Sequence, residues 1–230
     1  MIILCLICHE ELSQQMSWSS FLLIEPKACD DCYQSLKKIQ SPTCPRCFRP
    51  QENDHVCQDC QAWENDPQWK NILQKNLSVF EYNDSMKELL ATFKFRGDAA
   101  LVEVFQKDFL ASYKASFFKE KIDFVIPIPL SPERLYERGF NQAKLLANFL
   151  PLPQIDILTR THHEKQSKKS RQERITASNV FSIVDSSKIM NKKILLIDDI
   201  YTTGSTLRHA AKVLKDNGTG SIFSFTLIRS

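Results

Sequence analysis

The chain has 230 residues, of which 43% are hydrophobic and 25% charged. This balance is that of an ordinary globular protein, and the sequence has neither a low-complexity tract nor an internal repeat. No run approaches the roughly 18 apolar residues that a membrane-spanning helix needs, so membrane insertion is not expected. Residues 1–8 are apolar but lack the basic segment of a signal peptide, and a cytoplasmic location is therefore predicted.

The net charge of +3 hides an uneven distribution. Residues 1–60 carry five Lys/Arg and eight Asp/Glu, which leaves 25 basic and 19 acidic residues in the rest of the chain. A basic surplus confined to the longer part favours anionic ligands there.

All eight cysteines lie within residues 5–60, and each belongs to a C-x-x-C pair. Two thiolates at this spacing bind one metal ion from the same side, and two such pairs complete a tetrahedral shell. Sequential pairing predicts two structural Zn²⁺ ions, one held by Cys5, Cys8, Cys29 and Cys32 and the other by Cys44, Cys47, Cys57 and Cys60. A cross-braced pairing, with the first and third pairs on one ion, stays open from spacing alone.

Disulfides and a redox-active pair are the competing interpretations of these cysteines. A chain without an export signal meets reducing conditions, which disfavour disulfides. A redox motif is normally a single pair on a helix after a strand, whereas four pairs repeat here. Each predicted zinc has four protein ligands and no open position, so a structural or docking role is expected rather than catalysis. With few large aliphatic residues after residue 24, this region is expected to fold only with metal bound.

The rest of the chain alternates strands and helices. Strands are predicted over residues 77–82, 123–129, 155–158, 180–183, 193–197 and 222–228. Helices are predicted over residues 85–93, 99–118, 132–150 and 205–217. Strand 193–197 is fully apolar and should lie inside the sheet. The predicted fold is α/β, a doubly wound and mostly parallel sheet over residues 76–230, preceded by a small double zinc-ribbon domain over residues 1–62.

A short polar motif follows the apolar strand and carries the clearest chemistry. Asp198 and Asp199 can accept hydrogen bonds from a vicinal diol, such as the 2′- and 3′-hydroxyls of a ribose. The next residues form a turn with small hydroxyl side chains that opens a helix, and backbone N–H groups at such a turn bind anions. A sugar phosphate presents both groups in this order. The residues of the predicted site are Asp198, Asp199, Tyr201, Thr202, Thr203, Gly204, Ser205 and Thr206. The alternative is an ordinary helix cap at Thr203 or Ser205.

Residues 194–206 resemble the signature of type I phosphoribosyltransferases, which bind 5-phosphoribosyl-1-pyrophosphate (PRPP). The wider pattern is similar to the ComF family of late competence proteins. It comprises the N-terminal C-x-x-C pairs, Phe-Lys-Phe-Arg-Gly at residues 93–97, Pro-Ile-Pro-Leu at residues 127–130, Glu-Arg-Gly-Phe-Asn-Gln at residues 137–142, and the acidic-Thr loop. The match follows the expected order over nearly the whole chain.

The resemblance implies further roles. Residues 129–132 stand where these transferases place the pyrophosphate loop, with Arg134 and Arg138 facing the pyrophosphate of PRPP, which is expected to bind together with Mg²⁺. The alternative for both arginines is an exposed helix turn with salt bridges. Residues 160–174 correspond to the mobile basic loop that closes over PRPP. Lys168 and Lys169 stand where the family commonly has Gly-Leu, so this segment looks more like a polyanion contact. The predicted nucleic-acid-binding residues are Lys165, Lys168, Lys169, Arg171 and Arg174.

The resemblance implies a PRPP-binding accessory protein of natural transformation. It would help to take up or process incoming single-stranded DNA together with partners such as the DNA translocase or helicase of the competence machinery. No pocket for a nucleobase is recognisable, because the zinc region is expected to take the place of the hood that selects the base. The alternatives are an active phosphoribosyltransferase of nucleotide salvage and a pure adapter whose sugar-phosphate site is vestigial. The sequence does not indicate an oligomeric state.

Overall fold

The fold was analysed in a computed structural model that describes residues 3–12, 26–95, 98–160 and 180–230. The strands are β1 (Asn76–Glu81), β2 (Phe124–Pro127), β3 (Leu158–Arg160), β4 (Phe181–Ile183), β5 (Ile194–Tyr201) and β6 (Ile222–Arg229). The α-helices are α1 (Asp30–Gln34), α2 (Gln58–Asn65), α3 (Asp84–Phe95), α4 (Gln106–Phe117), α5 (Pro132–Arg138), α6 (Gln142–Ala147) and α7 (Ser205–Asp216). Within the described ranges, no helix is long and apolar enough to cross a bilayer.

Four strands form a parallel sheet in the order β1-β6-β5-β2. The side chains of residues 194–197 in β5 are all 0% exposed, and β5 lies between two other strands as predicted. Strands β3 and β4 form a separate antiparallel pair. The predicted parallel α/β fold is therefore confirmed. The carboxyl ends of the central strands lie at one sheet edge, where such folds bind their ligands.

The cysteine region packs closely on this sheet. Leu36, which follows α1, is buried in the same apolar cluster as Phe80 of β1. Cys44, Cys47 and Cys60 are buried in the second cluster, on the side of α7. Residues of the cysteine region and residues of the sheet are therefore buried together in the same two apolar clusters. The boundary between a domain over residues 1–62 and another over residues 76–230 stays a prediction.

Two predicted helices differ in the structure. The helix expected over residues 132–150 is interrupted, because Gly139 ends α5 in the left-handed conformation (φ 76°) and the Asn141 side chain caps α6. The helix expected over residues 99–118 begins as a 3-10 helix, Ala99–Phe105, before α4. Its predicted buried face is confirmed, since Leu101, Phe105, Phe109 and Tyr113 are at most 4% exposed.

The strand predicted over residues 155–158 was wrong in position. Residues 154 and 155 reach the edge of the parallel sheet only through an isolated bridge to Val125 of β2. The regular strand β3 begins at Leu158, where β4 supplies an antiparallel partner. Apart from Arg160, the basic loop predicted over residues 160–174 lies outside the described residues.

Candidate functional site

The predicted acidic pair lies within a strand rather than after it. The apolar run predicted a strand end at residue 197, but β5 continues to Tyr201 because the long strand β6 pairs with it as far as Arg229. Asp199 is buried, whereas Asp198 keeps some contact with solvent. The Asp199 N–H donates to the Asp198 carboxylate at 2.9 Å. The two carboxylates are therefore held by regular strand pairing at the edge of the sheet.

The turn after β5 depends on one glycine. Gly204 has φ 78°, in the left-handed region that side chains with a Cβ adopt only at a cost. A Cβ on Gly204 would lie 2.1 Å from the hydroxyl oxygen of Tyr201. The Tyr201 ring is thus packed against the turn, and only glycine fits below it.

The predicted loop residues come together around this turn. Thr202 is exposed, and the Ser205 N–H donates to the hydroxyl oxygen of Thr203 at 3.4 Å. Helix α7 starts at Ser205, so its N-terminal N–H groups lie at this turn, with the positive end of the helix dipole. Of the eight residues predicted in this segment, all but Asp199 and Thr203 line one pocket. The turn encloses this shallow pocket, which is lined by Asp198, Ile200, Tyr201, Thr202, Gly204, Ser205, Thr206 and Leu207.

The acidic pair sits in a mixed electrostatic environment. Burial, followed by the charge of Asp199, raises the pKa of Asp198 to about 8. Lys94 of α3 forms an ion pair with Asp199, and its charge acts against the rise in the pKa of Asp198. A carboxyl group with a raised pKa is a good hydrogen-bond partner for hydroxyl groups, because it can donate or accept near neutral pH.

Arginines from two elements act on the same pair. Burial lowers the pKa of Arg138 on α5, and the charges of Asp199 and Asp198 oppose this shift. Burial also lowers the pKa of Arg160 at the end of β3, and the like charges of Arg134 and Arg138 lower it further. The charges of Arg134, Arg138 and Arg160 thus act on one another, and those of Arg138 and Arg160 also interact with Asp198. Such a group of cations suits an anion with several negative charges.

Arg138, the last residue of α5, is held in place by Gln142, the first residue of α6. Its guanidinium donates to the side-chain oxygen of Gln142 at 3.1 Å, and Gln142 is 2% exposed. Arg160 lies over the ring of Phe181, 5.4 Å from the centroid. Arg134 is exposed on α5. This placement fits a binding role for Arg138 better than an exposed helix turn.

The eight cysteines form two clusters. The sulfur atoms of Cys5, Cys8, Cys29 and Cys32 lie within 4.8 Å of one another, as do those of Cys44, Cys47, Cys57 and Cys60. The sequential pairing, and not the cross-braced one, is the arrangement in the structure. We call these groups the first and the second four-cysteine cluster.

The geometry of the clusters fits a tetrahedral metal site. A Zn–S bond of about 2.3 Å gives a sulfur-sulfur edge of about 3.8 Å in a tetrahedron, against about 2.05 Å in a disulfide. The observed distances are 3.8 Å between Cys8 and Cys29 and 3.6 Å between Cys47 and Cys57. Backbone N–H groups donate to the Cys5 and Cys44 sulfurs, as they do to metal thiolates. Both sets of residues can hold zinc.

Several residues at the site were missed or left open by sequence reasoning. Lys94, Trp63 and Arg229 contact the acidic pair or the turn, although they are distant in sequence. An arginine at the end of the apolar strand 222–228 was the available signal for Arg229. Phe93 packs against Phe140 and is 1% exposed, so the first residue of the Phe-Lys-Phe-Arg-Gly motif is part of the core. The predicted nucleic-acid residues Lys165, Lys168, Lys169, Arg171 and Arg174 lie outside the described residues.

Comparison with known proteins agrees with this geometry. Residues 107–230 match the family model described as "Phosphoribosyl transferase domain". The chain is 44% identical over 231 residues to "Competence protein ComFC" of Bacillus subtilis (strain 168), covering 99% of this chain and 95% of the relative. It is 34% identical to the protein of the same name in Streptococcus pneumoniae (strain ATCC BAA-255 / R6), covering 98% and 99%. It is also 24% identical to "DNA utilization protein YhgH" of Escherichia coli O157:H7, covering 88% and 90%.

Proposed function

The chain belongs to the ComF family, and on that premise we propose that it binds PRPP at residues 198–206 as an accessory protein of natural transformation. In this role it helps to take up or process incoming single-stranded DNA together with partner proteins. The observation that carries the proposal is the meeting of three groups at one sheet edge: a carboxylate pair, an anion-binding turn and a cluster of arginines.

Each group has a counterpart in PRPP. Asp198 and Asp199 pair with the ribose hydroxyls, and the turn at residues 202–206 receives the 5-phosphate on N–H and hydroxyl donors. Arg138, with Arg134, faces the pyrophosphate, whose Mg²⁺ neutralises part of its charge.

Two neighbours support these ligand contacts. Lys94 forms an ion pair with Asp199 in the absence of ligand. When the ribose hydroxyls bind, Lys94 either leaves Asp199 or shares this carboxylate with them. Tyr201 supports the turn from below through its contact with Gly204. The carboxylate pair and the turn are therefore both braced before PRPP binds.

The DNA role rests on the relatives and on the charge distribution. The related proteins are named for competence and for DNA utilization, and the basic surplus of the chain lies after residue 60. The competence translocase or helicase is the partner class that we propose, with the zinc region as its docking module. The segment beside Arg160 has a cationic character suited to the phosphates of single-stranded DNA, which it owes to Lys165, Lys168, Lys169, Arg171 and Arg174.

A genetic replacement tests whether the carboxylate pair serves this role. A Bacillus subtilis strain that lacks its ComFC is complemented with the parent chain or with Asp198→Asn/Asp199→Asn. We expect the double variant to fall to the transformation frequency of the strain without the gene. Asp185→Asn/Asp216→Asn is the matched control, because it makes the same charge change at two exposed positions and should behave like the parent.

Two outcomes separate the proposal from its alternatives. If the Asp198→Asn/Asp199→Asn protein is folded and supports normal transformation, the site is vestigial and the adapter function replaces our proposal. If purified parent protein consumes PRPP with any member of a panel of free nucleobases, the chain is an active phosphoribosyltransferase of nucleotide salvage. Pyrophosphate release is the readout, and we expect none above the rate without base.

A further inference from the structure

Three consecutive carbonyl groups of the turn accept hydrogen bonds from two buried side chains, Arg229 and Trp63. Those of Tyr201 and Thr202 accept hydrogen bonds from one terminal nitrogen of Arg229, at 3.1 and 3.0 Å. That of Thr203 accepts from the indole N–H of Trp63 at 3.1 Å. In a trans peptide the carbonyl and the following N–H point in opposite directions. The N–H groups of residues 202–204 are therefore turned away from Arg229 and Trp63, as a phosphate cradle requires.

Both donors are tied to the second four-cysteine cluster. The other terminal nitrogen of Arg229 donates to the sulfur of Cys47 at 3.6 Å. Trp63 lies on α2, which begins directly after Cys57 and contains Cys60. Arg229 is 3% exposed and Trp63 is 3% exposed, so water competes little for either contact.

Further contacts fix α2 against the helix that the turn opens. The guanidinium of Arg208 on α7 lies over the ring of Trp63, 4.9 Å from its centroid. Arg208 is 2% exposed and lies 3.7 Å from a carboxylate oxygen of Glu64. Arg229 also lies over the ring of Tyr201, the residue that packs on the turn glycine. The second cluster, α2, Arg229 and the turn are thus one packed unit.

We propose that Arg229 and Trp63 are positioning residues through which the second four-cysteine cluster sets the conformation of the PRPP-binding turn. The inference rests on the proposed function, because it names what holds that site open for its ligand. A metal-bound thiolate is a strong acceptor for a guanidinium, and the metal also fixes the first turn of α2. Loss of metal from this cluster would release both donors, whereas loss from the first cluster would leave them in place.

The shape of arginine is essential to this arrangement. A guanidinium presents donors in a fixed plane and can bind a sulfur on one side and two carbonyls on the other. A lysine ammonium keeps the charge but is a single point, so it cannot span both partners. Arg229→Lys and Trp63→Phe are therefore the informative changes, since the first removes the guanidinium and the second removes the indole N–H. The volume that Trp63→Phe also removes is matched by its control.

The test compares these variants with two matched controls in the zinc-loaded full-length chain. Arg49→Lys changes an arginine that pairs with Asp59 near the same cluster, and Trp69→Phe changes a buried neighbour of Trp63. Amide hydrogen exchange of the peptide that spans residues 198–207 reports the turn without any ligand. With both zinc ions retained, we expect exchange to be about 5-fold faster in Trp63→Phe, the equivalent of one lost hydrogen bond, and about 10-fold faster in Arg229→Lys, which affects two. The controls should match the parent.

Calorimetry of PRPP with Mg²⁺ on the same proteins supplies the second readout. We expect the Kd to rise about 10-fold in Arg229→Lys and about 5-fold in Trp63→Phe. Exchange and Kd equal to those of the controls would overturn the inference. If the parent binds no PRPP, the proposed function fails, and the exchange of residues 198–207 alone decides the role of Arg229 and Trp63. If Arg229→Lys does not fold, Trp63→Phe decides.

Thermodynamic linkage between PRPP binding and zinc binding gives a third readout. It would not change if Arg229 and Trp63 only stabilised the fold. If the second cluster favours the binding-competent turn, PRPP must in turn favour the metal-bound cluster. PRPP with Mg²⁺ should therefore slow the transfer of one of the two zinc ions to a chromogenic chelator and leave the other unchanged. In Arg229→Lys this protection should disappear. The inference is contradicted if the parent protein binds PRPP but releases each zinc ion at the same rate with PRPP as without it.

Discussion

The indole N–H of Trp63 donates to the carbonyl oxygen of Thr203 at 3.1 Å, across 140 positions of sequence. One partner lies on the helix of the second four-cysteine cluster, and the other is in the turn that we assign to the phosphate of PRPP. The cysteine region is therefore more than an appendage to the sheet, because it supplies contacts that shape the site.

The packing of Tyr201 on Gly204 predicts a large effect of one added methyl group. Gly204→Ala combines a strained backbone with a clash against the ring, and should lower the free energy of unfolding by about 2–4 kcal/mol. Gly139→Ala is the control, because Gly139 has a similar φ of 76° but nothing within 4 Å of its Cβ position. It should lose about 1–2 kcal/mol from backbone strain alone. Urea denaturation measures both, and equal losses would refute the role of Tyr201.

The raised pKa of Asp198 predicts that the folded state loses stability as the pH rises. The folded state keeps the proton up to about pH 8, whereas the unfolded chain releases it near its ordinary value. The folded state therefore binds more protons in this interval, and the stability contributed by Asp198 falls as the pH rises from about 4 through 8.

The variant Asp198→Asn removes this dependence. Its stability relative to the parent should grow by about 4 kcal/mol between pH 5 and pH 9, because only the parent must ionise a carboxyl beside Asp199. Urea denaturation at both pH values gives the difference, in which other titrating groups cancel. Asp216→Asn, an exposed position on α7, should show no such trend. A constant difference for Asp198→Asn would show that Asp198 is ionised throughout.

The clusters predict the metal content. The intact chain should hold two zinc ions, and both Cys8→Ser and Cys47→Ser should hold one, as measured by elemental analysis. The consequences differ because Cys8 is exposed, whereas Cys47 is 1% exposed and contacts Arg229. Cys47→Ser should therefore weaken PRPP binding more than Cys8→Ser. Two zinc ions in either variant would contradict the assigned ligand sets.

The basic segment predicts a salt-dependent interaction with single-stranded DNA. Each phosphate contact contributes about 0.7 to the slope of log K against log salt concentration. Lys168→Gln/Lys169→Gln/Arg171→Gln should therefore reduce this slope by about 2. Fluorescence anisotropy with a labelled oligonucleotide measures the slope at several salt concentrations. Lys107→Gln/Lys114→Gln on α4, at two exposed positions, is the control and should not change it.

Local sequence signals predicted much of the site. The apolar run before Asp198 indicated an interior strand, and the hydroxyl-rich turn with Gly204 indicated an anion-binding helix start. Spacing of the C-x-x-C pairs predicted both four-cysteine clusters, and the structure selected the sequential pairing. These features depend on neighbours in sequence, so periodicity and spacing are sufficient for them.

Contacts between distant segments could not be predicted in this way. The extension of β5 through Tyr201 depends on the length of β6, and the break at Gly139 depends on a turn that an apolar period does not reveal. Arg229 looked like the charged end of a strand, yet its role follows from Cys47 and Thr202, which only the fold brings to it. The same holds for the ion pair between the α3 lysine and the second carboxylate of the acidic pair.

The most direct test of the central claim is titration of the zinc-loaded protein with PRPP and Mg²⁺ in a calorimeter. The parent should bind one PRPP per chain with a micromolar Kd, and ribose 5-phosphate, which lacks pyrophosphate for Arg138, should bind more weakly. Thr202→Ala/Thr203→Ala should lose binding while its thermal unfolding and zinc content stay those of the parent. Absence of PRPP binding by the folded, zinc-loaded parent, or full binding by the double variant, would contradict the account.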